Sequence, residues 1–175
     1  PDAPPIDVVV NGARVFGNVP FGMNTPYLTV PVGENLIQII PSGGSLEDSP
    51  VVLEATLPFE GDTRTTIVAS NVLDAIEANV ISDATDLKKN SAQVRVGHLS
   101  ADAPNVDIAT DGSAPKDALL KDVPYKTVSD YLTVKPGKLD LEVRPAGSED
   151  VALDIPAVKL AKGTNYSAYA IGSAA

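Results

Sequence analysis

Residues 100–112 read "SADAPNVDIATDG", and residues 1–12 read "PDAPPIDVVVNG". Asp2-Ala3-Pro4 recurs as Asp102-Ala103-Pro104, and "IDVVVNG" at 6–12 recurs as "VDIATDG" at 106–112. The likeness continues downstream. "VPFGMNTPYLTVPVG" at 19–33 aligns with "VPYKTVSDYLTVKPG" at 123–137, with seven identities in fifteen positions. "IIPSGG" at 39–44 aligns with "VRPAGS" at 143–148, and "EGDTRTTIVAS" at 60–70 with "KGTNYSAYAIG" at 162–172. The offset moves from 100 to 104 and back to 102, which marks loop insertions, the largest within 113–122. Self-similarity at a long fixed period means one structural unit built more than once. The repeat places one domain at 1–82 and a second at 93–175, with a polar linker at 83–92.

Each copy reads as strands. Ile6, Val8 and Val10 alternate with Asp7, Val9 and Asn11, the pattern of a half-buried strand. Asn11-Gly12 supplies the positive φ angles of a type I′ hairpin turn, and Asp111-Gly112 does the same in the second copy, where the insert that follows loosens the hairpin. "YLTV" predicts a short strand in each copy, and so do "NLIQII" and "LDLEVR" after Gly33 and Gly137. "TTIVAS" and "YSAYAIG" are strands again. Residues 71–82, "NVLDAIEANVIS", fit a helical turn at first, but Val80 and Ile81 favour a strand. Pro1, Pro4 and Pro5 argue against an opening helix. Strands recurring about every 8 to 12 residues suit a sandwich. The expectation is an all-β protein of two tandem Ig-like or transthyretin-like antiparallel β-sandwich domains.

"VRVGHLSADAPNVDIATDG", then "YLTVKPG", then "KGTNYSAYAIG" resembles the bacterial and archaeal domain-of-unknown-function family four-three-nine-seven. Arg95, His98, Ser100, Asp102, Ala103, Pro104 and Asp107 fall on that family's opening motif. Tyr131, Gly137, Gly163 and Tyr166 fall on its centre and close, whereas Arg64 stands where the first copy would carry the closing tyrosine. The resemblance implies exported, cell-surface or extracellular β-sandwich modules, often in tandem, with no established enzymatic activity.

Composition narrows the partners. The net charge is −10, and the longest basic cluster is Lys88-Lys89, which argues against nucleic acid, because phosphate binding needs clustered cations. No apolar run approaches the roughly 18 residues of a membrane-spanning helix. The absence of cysteine excludes disulfides, thiolate nucleophiles and Cys-ligated metals.

His98 is the only histidine. Without cysteine or a second histidine it makes a poor transition-metal site, and a ring bonded to the following Asp-Ala-Pro turn is the expectation. Ser100, two residues on, shares its side of a strand and makes a Ser-His-Asp set with Asp102 or Asp107 conceivable. A working triad needs an exposed nucleophile and an oxyanion hole, no G-x-S-x-G stretch exists, and the first copy lacks both His and Ser. Asp2, Asp7, Asp102 and Asp107 repeat across the copies, and turn-forming carboxylates that accept backbone N–H groups explain them. Calcium is the alternative, with Glu47-Asp48 and Glu149-Asp150 as further oxygens, but no D-x-D-x-D loop is present. Tyr27 and Tyr131, with Phe21 and Tyr125, are expected to fill the cores; a sugar-stacking platform is the other reading.

The two copies differ at their edges. "QVRVGHLS" at 93–100 leads into the second Asp-Ala-Pro turn, and the first copy shows no counterpart to it. Residues 75–82 close the first copy, and nothing matches them after "YSAYAIG". Three readings stand: strands lost from view, domains managing with fewer, or neighbours completing one another by strand addition, which can build a filament. The functional expectation is a non-catalytic structural or adhesive subunit of the cell exterior, without cofactor. Its expected partners are other copies of itself or cell-surface components. A small-ligand, carbohydrate or calcium-binding surface module is the alternative.

Overall fold

Asn11 and Gly12 stand at φ 50° and 79°. Two successive left-handed residues close a type I′ turn, whose twist matches that of the strands it joins. Strands β1 (Ile6–Val10) and β2 (Ala13–Val19) pair antiparallel across it, Val10 against Ala13. The structure is a computed structural model that describes residues 3–173; Asp2, singled out in the first turn, lies outside the described residues.

The chain divides into two units, one ending at Asp83 and the other starting at Ala84. The first continues with β3 (Gly33–Pro41), β4 (Leu53–Phe59), β5 (Arg64–Ser70) and β6 (Glu77–Asp83). Its four-stranded sheet runs β2-β1-β3-β4, and β5 and β6 form a two-stranded antiparallel sheet. The doubtful stretch at 71–82 is both things in turn, a single 3₁₀ turn at Leu73–Ala75 and then β6. Val9, Ile37, Ile39, Ile40, Leu53 and Ile81 are its buried apolar side chains.

The second unit holds β7 (Ala92–Leu99), β8 (Val106–Thr110), β9 (Leu120–Val123), β10 (Thr127–Val128), β11 (Leu132–Val134), β12 (Gly137–Pro145), β13 (Leu153–Leu160) and β14 (Thr164–Ile171). One sheet runs β13-β12-β8-β9, repeating the order of the first unit. The other is centred on β7, with β14 on one side and β10 and β11 on the other. Every residue of β7 is buried. Val96 packs with Val106, Ile108, Leu141 and Val143 of the facing sheet, and Ala92 and Val94 pack with Leu160.

Four local expectations need correction. In β1 the fully buried face carries Asp7 and Val9, while Ile6, Val8 and Val10 are half-buried. Of the Asp111-Gly112 pair, Gly112 alone turns left-handed, and a 3₁₀ turn at Pro115–Asp117 replaces a tight hairpin. "YLTV" forms β11 in the second unit but no strand at 27–30. A strand needs a ladder partner, and the partner of β11 is β7. Finally, β14 pairs with β7 in parallel, so the all-antiparallel expectation fails at that ladder. The described residues contain no α-helix, and no helix among them is long and apolar enough to cross a membrane.

Gly97 marks how tightly β7 is held. A Cβ there would lie 2.6 Å from Tyr169 Cδ1 and 3.2 Å from Val128 Cγ2. Gly97→Val is expected to destabilise the second unit by about 1–3 kcal/mol through overpacking. Gly61→Ala, whose Cβ would meet Val32 Cγ2 at 3.9 Å, should stay within about 0.5 kcal/mol of the parent. Denaturant unfolding of both variants checks this, and equal stabilities would refute it.

Candidate functional site

The first unit buries the carboxylate of Asp7 and the second buries that of Asp107. Both sit at the same place in the repeat, on the first strand of a hairpin, where the ladder shifts register. The shift opens a bulge in the partner strand. At that bulge Asn18 has φ 54° and Asp122 has φ 51°, a left-handed state that Asn and Asp tolerate better than other side chains. The turned backbone points its N–H inward. Asn18 N–H donates to Asp7 Oδ1 at 2.8 Å, and Asp122 N–H donates to Asp107 Oδ1 at 2.8 Å.

The second carboxylate oxygen reaches another turn. Gly147, at φ 75°, donates its N–H to Asp107 Oδ2 at 2.9 Å. In the first unit Arg14 Nε lies 3.0 Å from Asp7 Oδ2. One side chain thus ties a bulge to a second element in each unit. The Asn18 N–H, then the Ser42 hydroxyl, hold the Asp7 carboxyl below its ordinary value, with burial working against them and Arg14 and the Gly43 N–H assisting. Burial works to raise the Asp107 carboxyl, but the Asp122 and Gly147 N–H groups and the charges of Lys121 and Arg144 outweigh it and keep it low. A carboxylate accepting several N–H bonds favours its charged form.

Arg95 is the buried cation of β7. Its Nε donates to Ser167 Oγ at 2.8 Å, its Nη2 donates to the Tyr169 hydroxyl at 3.0 Å, and its guanidinium lies 4.8 Å from the Tyr131 ring centre. A planar fork suits this combination of bonding and stacking. The arrangement fastens β7 to β14 and to the segment before β11. Tyr27 is used differently. Its hydroxyl donates to Asp83 Oδ2 at 2.7 Å, and Arg64 lies 5.9 Å from its ring centre.

His98 hydrogen-bonds the Pro104 carbonyl through Nε2 at 3.0 Å, within the Asp-Ala-Pro turn. A carbonyl only accepts, so Nε2 carries the proton. The ring meets Tyr125 edge-on at 6.2 Å. Ser100 Oγ donates to the Gly172 carbonyl at 2.9 Å and lies 3.3 Å from Asp102 Oδ1. Ser173 also donates to Asp102. His98 and Ser100 therefore hold separate partners, and Asp107 lies with the bulge rather than with either of them.

The expected aromatic filling of both cores is corrected for the first unit: Tyr27 is 65% exposed and Phe21 50%, whereas Tyr125 and Tyr131 are half-buried. The acidic loops are held locally, Asp48 by Ser45 and Asp150 by Ser148. Among the described residues no group of three or more His, Cys, Asp or Glu is placed to hold a metal ion.

Sequence reasoning missed two features. Asn18 and Asp122 precede the matched "VP" of the repeat, and extending that alignment back by one residue exposes the shared Asx position. The second is Glu142, whose carboxylate accepts from Arg144 Nε at 2.8 Å while both side chains are buried. Arg144 also donates to the Ser113 carbonyl at 2.8 Å. The Arg144 hydrogen bond holds Glu142 below its ordinary value, and sharing a hydrogen bond with Glu142 pushes Asp111 up. The Glu-x-Arg spacing on a strand places both on one side and was the available signal.

Repeated sheets, braced by repeated buried carboxylates, define an all-β protein of tandem like units. The chain belongs to the family described as domain of unknown function (DUF4397), whose model matches residues 1–109 and again 92–175. No curated protein matches the chain.

Proposed function

We propose that the protein is a non-catalytic structural or adhesive subunit of the cell exterior that joins other chains, including its own copies, by strand addition. Each unit is taken as a sandwich of the Ig-like or transthyretin-like type. The packing of β7 against β8 and β12 supports that reading.

The observation that carries the proposal is an apolar stretch of the first unit that its own strands leave exposed. In the second unit, β7 is flanked by β14, β10 and β11. In the first, the stretch matching β10 and β11 lies in no ladder and exposes Phe21, Met23, Tyr27, Leu28 and Val32. Exposed apolar side chains along one stretch mark interaction sites. The buried Asp7, Asp107, Arg95 and Arg144 bond within their own units, in keeping with a scaffold.

Light scattering across a concentration series, with electron microscopy of the same samples, tests this. Concentration-dependent growth in mass that persists at high salt is expected, because main-chain bonds are screened less than surface ion pairs. A strictly monomeric species at all concentrations overturns the proposal.

A further inference from the structure

We infer that residues 84–91, most of the stretch that the repeat places as a linker, form a strap over the outer face of β7, and that this strap opens by itself while the second unit stays folded.

The strap contains no strand and no helix, so bonds to the sheet must hold it. Ala92 and Val94 of β7 point to an apolar cluster with Leu160. Alternation along the strand puts Gln93 on the opposite face. Gln93 is level with Asn165 of β14 on one side and with Thr133 of β11 on the other. The three make one polar row across three strands. The strap is bonded at both ends of that row. Asn165 Nδ2 donates to the Ala84 carbonyl at 3.2 Å and to the Asp86 carbonyl at 3.1 Å. Lys88 Nζ donates to Thr133 Oγ1 at 2.9 Å. The chain between Asp86 and Lys88 thus crosses β7, and Gln93 at the middle of the row is 6% exposed. Past the crossing, the Ser91 N–H closes a turn on the Lys88 carbonyl at 3.1 Å, and the Gly163 N–H donates to the Ser91 carbonyl at 2.8 Å.

The same geometry limits how firmly the strap is held. Leu87 is its one large apolar side chain, and it is exposed. Gln93 Oε1 and Asn165 Oδ1 are buried and meet no donor among the described residues. A buried acceptor without a donor costs free energy, and lifting the strap returns both oxygens to water. Segments with few buried apolar contacts open sub-globally, at a lower free energy than the unit that carries them.

Trypsin acting on the full chain is the probe, because Lys88-Lys89 lies in the strap and is exposed. Mass spectrometry locates the cut. Where reclosing outpaces cleavage, the rate follows the population of the open form. Cutting after Lys88 or Lys89 is expected to be at least about tenfold slower than in a free peptide of residues 82–94. Asn165→Ala removes both bonds at one end and should speed it about tenfold. Thr133→Val keeps the branched shape, drops the hydroxyl that accepts from Lys88, and should speed it about threefold. Asp107→Asn weakens the unit from its other sheet and should leave the rate within about twofold of the parent.

Cutting of the parent at the free-peptide rate overturns the strap. A rate that rises in Asp107→Asn in step with the lost stability overturns its independent opening, since the whole unit then opens. An unchanged rate in Asn165→Ala overturns the bonding assigned here. If circular dichroism shows that this variant alters the fold, Thr133→Val decides the point in the same way.

Discussion

Asp107→Ala is expected to lower the stability of the second unit by about 1–3 kcal/mol for each of the two backbone N–H groups it leaves without an acceptor. Those groups belong to Asp122 and Gly147. Both residues are in the left-handed region, at φ 51° and 75°. The carboxylate holds them there, so its loss also releases the bulge. Asp107→Asn keeps one carbonyl oxygen and should fall between the parent and the alanine variant. The pH dependence provides the sharper test. The native Asp107 pKa lies below the ordinary 3.8. A depressed carboxyl contributes stability that is fully present above the unfolded-state pKa. The contribution is lost as pH falls through 3.8 towards the lower native value. The gap between parent and Asp107→Asn should therefore narrow on acidification across that window. Asp7 shifts in the same direction, and its variants should narrow likewise in the first unit. A gap independent of pH would remove the carboxylate from its bracing role. The measurement is denaturant unfolding from neutral pH downward, with probes reporting each unit.

Arg95→Met should cost the second unit about 1.5–3 kcal/mol for its charged hydrogen bonds. The lost stacking on Tyr131 adds about 0.5–2 kcal/mol. Methionine keeps the apolar stem, so the loss isolates the guanidinium. Ser167 and Tyr169 lose their donor, and the parallel ladder between β7 and β14 loses its side-chain fastening. Arg95→Lys should recover only part of the stability, because an ammonium does not form the planar fork that bonds two hydroxyls while stacking on a ring. Hydrogen exchange should show β14 amides opening first in the methionine variant. Full recovery by lysine would mean that charge, rather than geometry, matters at this position.

Much of the fold was legible because its signals are local. The Asn11-Gly12 turn follows from the φ angles those residues accept, and the strands at 6–10, 33–41 and 137–145 follow from apolar runs between turn residues. The repeat doubled each of these readings. The candidate site was legible only in part. Asp7 and Asp107 stood out because they recur, yet their role depends on a bulge eleven or fifteen residues away, and a bulge has no fixed local pattern. Arg95 stood out through the family motif, but the hydroxyls it bonds, on Ser167 and Tyr169, lie more than seventy residues further on.

The contrast between the two "YLTV" segments separates what sequence and tertiary structure each determine. The residues are identical, 27–30 and 131–134, so their intrinsic preferences are identical. Composition and spacing determined by themselves that the protein is all-β, repeated, acidic and free of cysteine. Tertiary structure decided which copy became a strand. Leu132–Val134 lies beside β7 and completes its ladder, while residues 28–30 lie in no ladder. It also decided that β1 turns Asp7 inward, because the inward N–H of Asn18 and the Arg14 guanidinium stabilise the carboxylate there. A strand's hydrogen bonds and a buried charge's solvation are both supplied by other parts of the chain, so neither is written in the residues that display them.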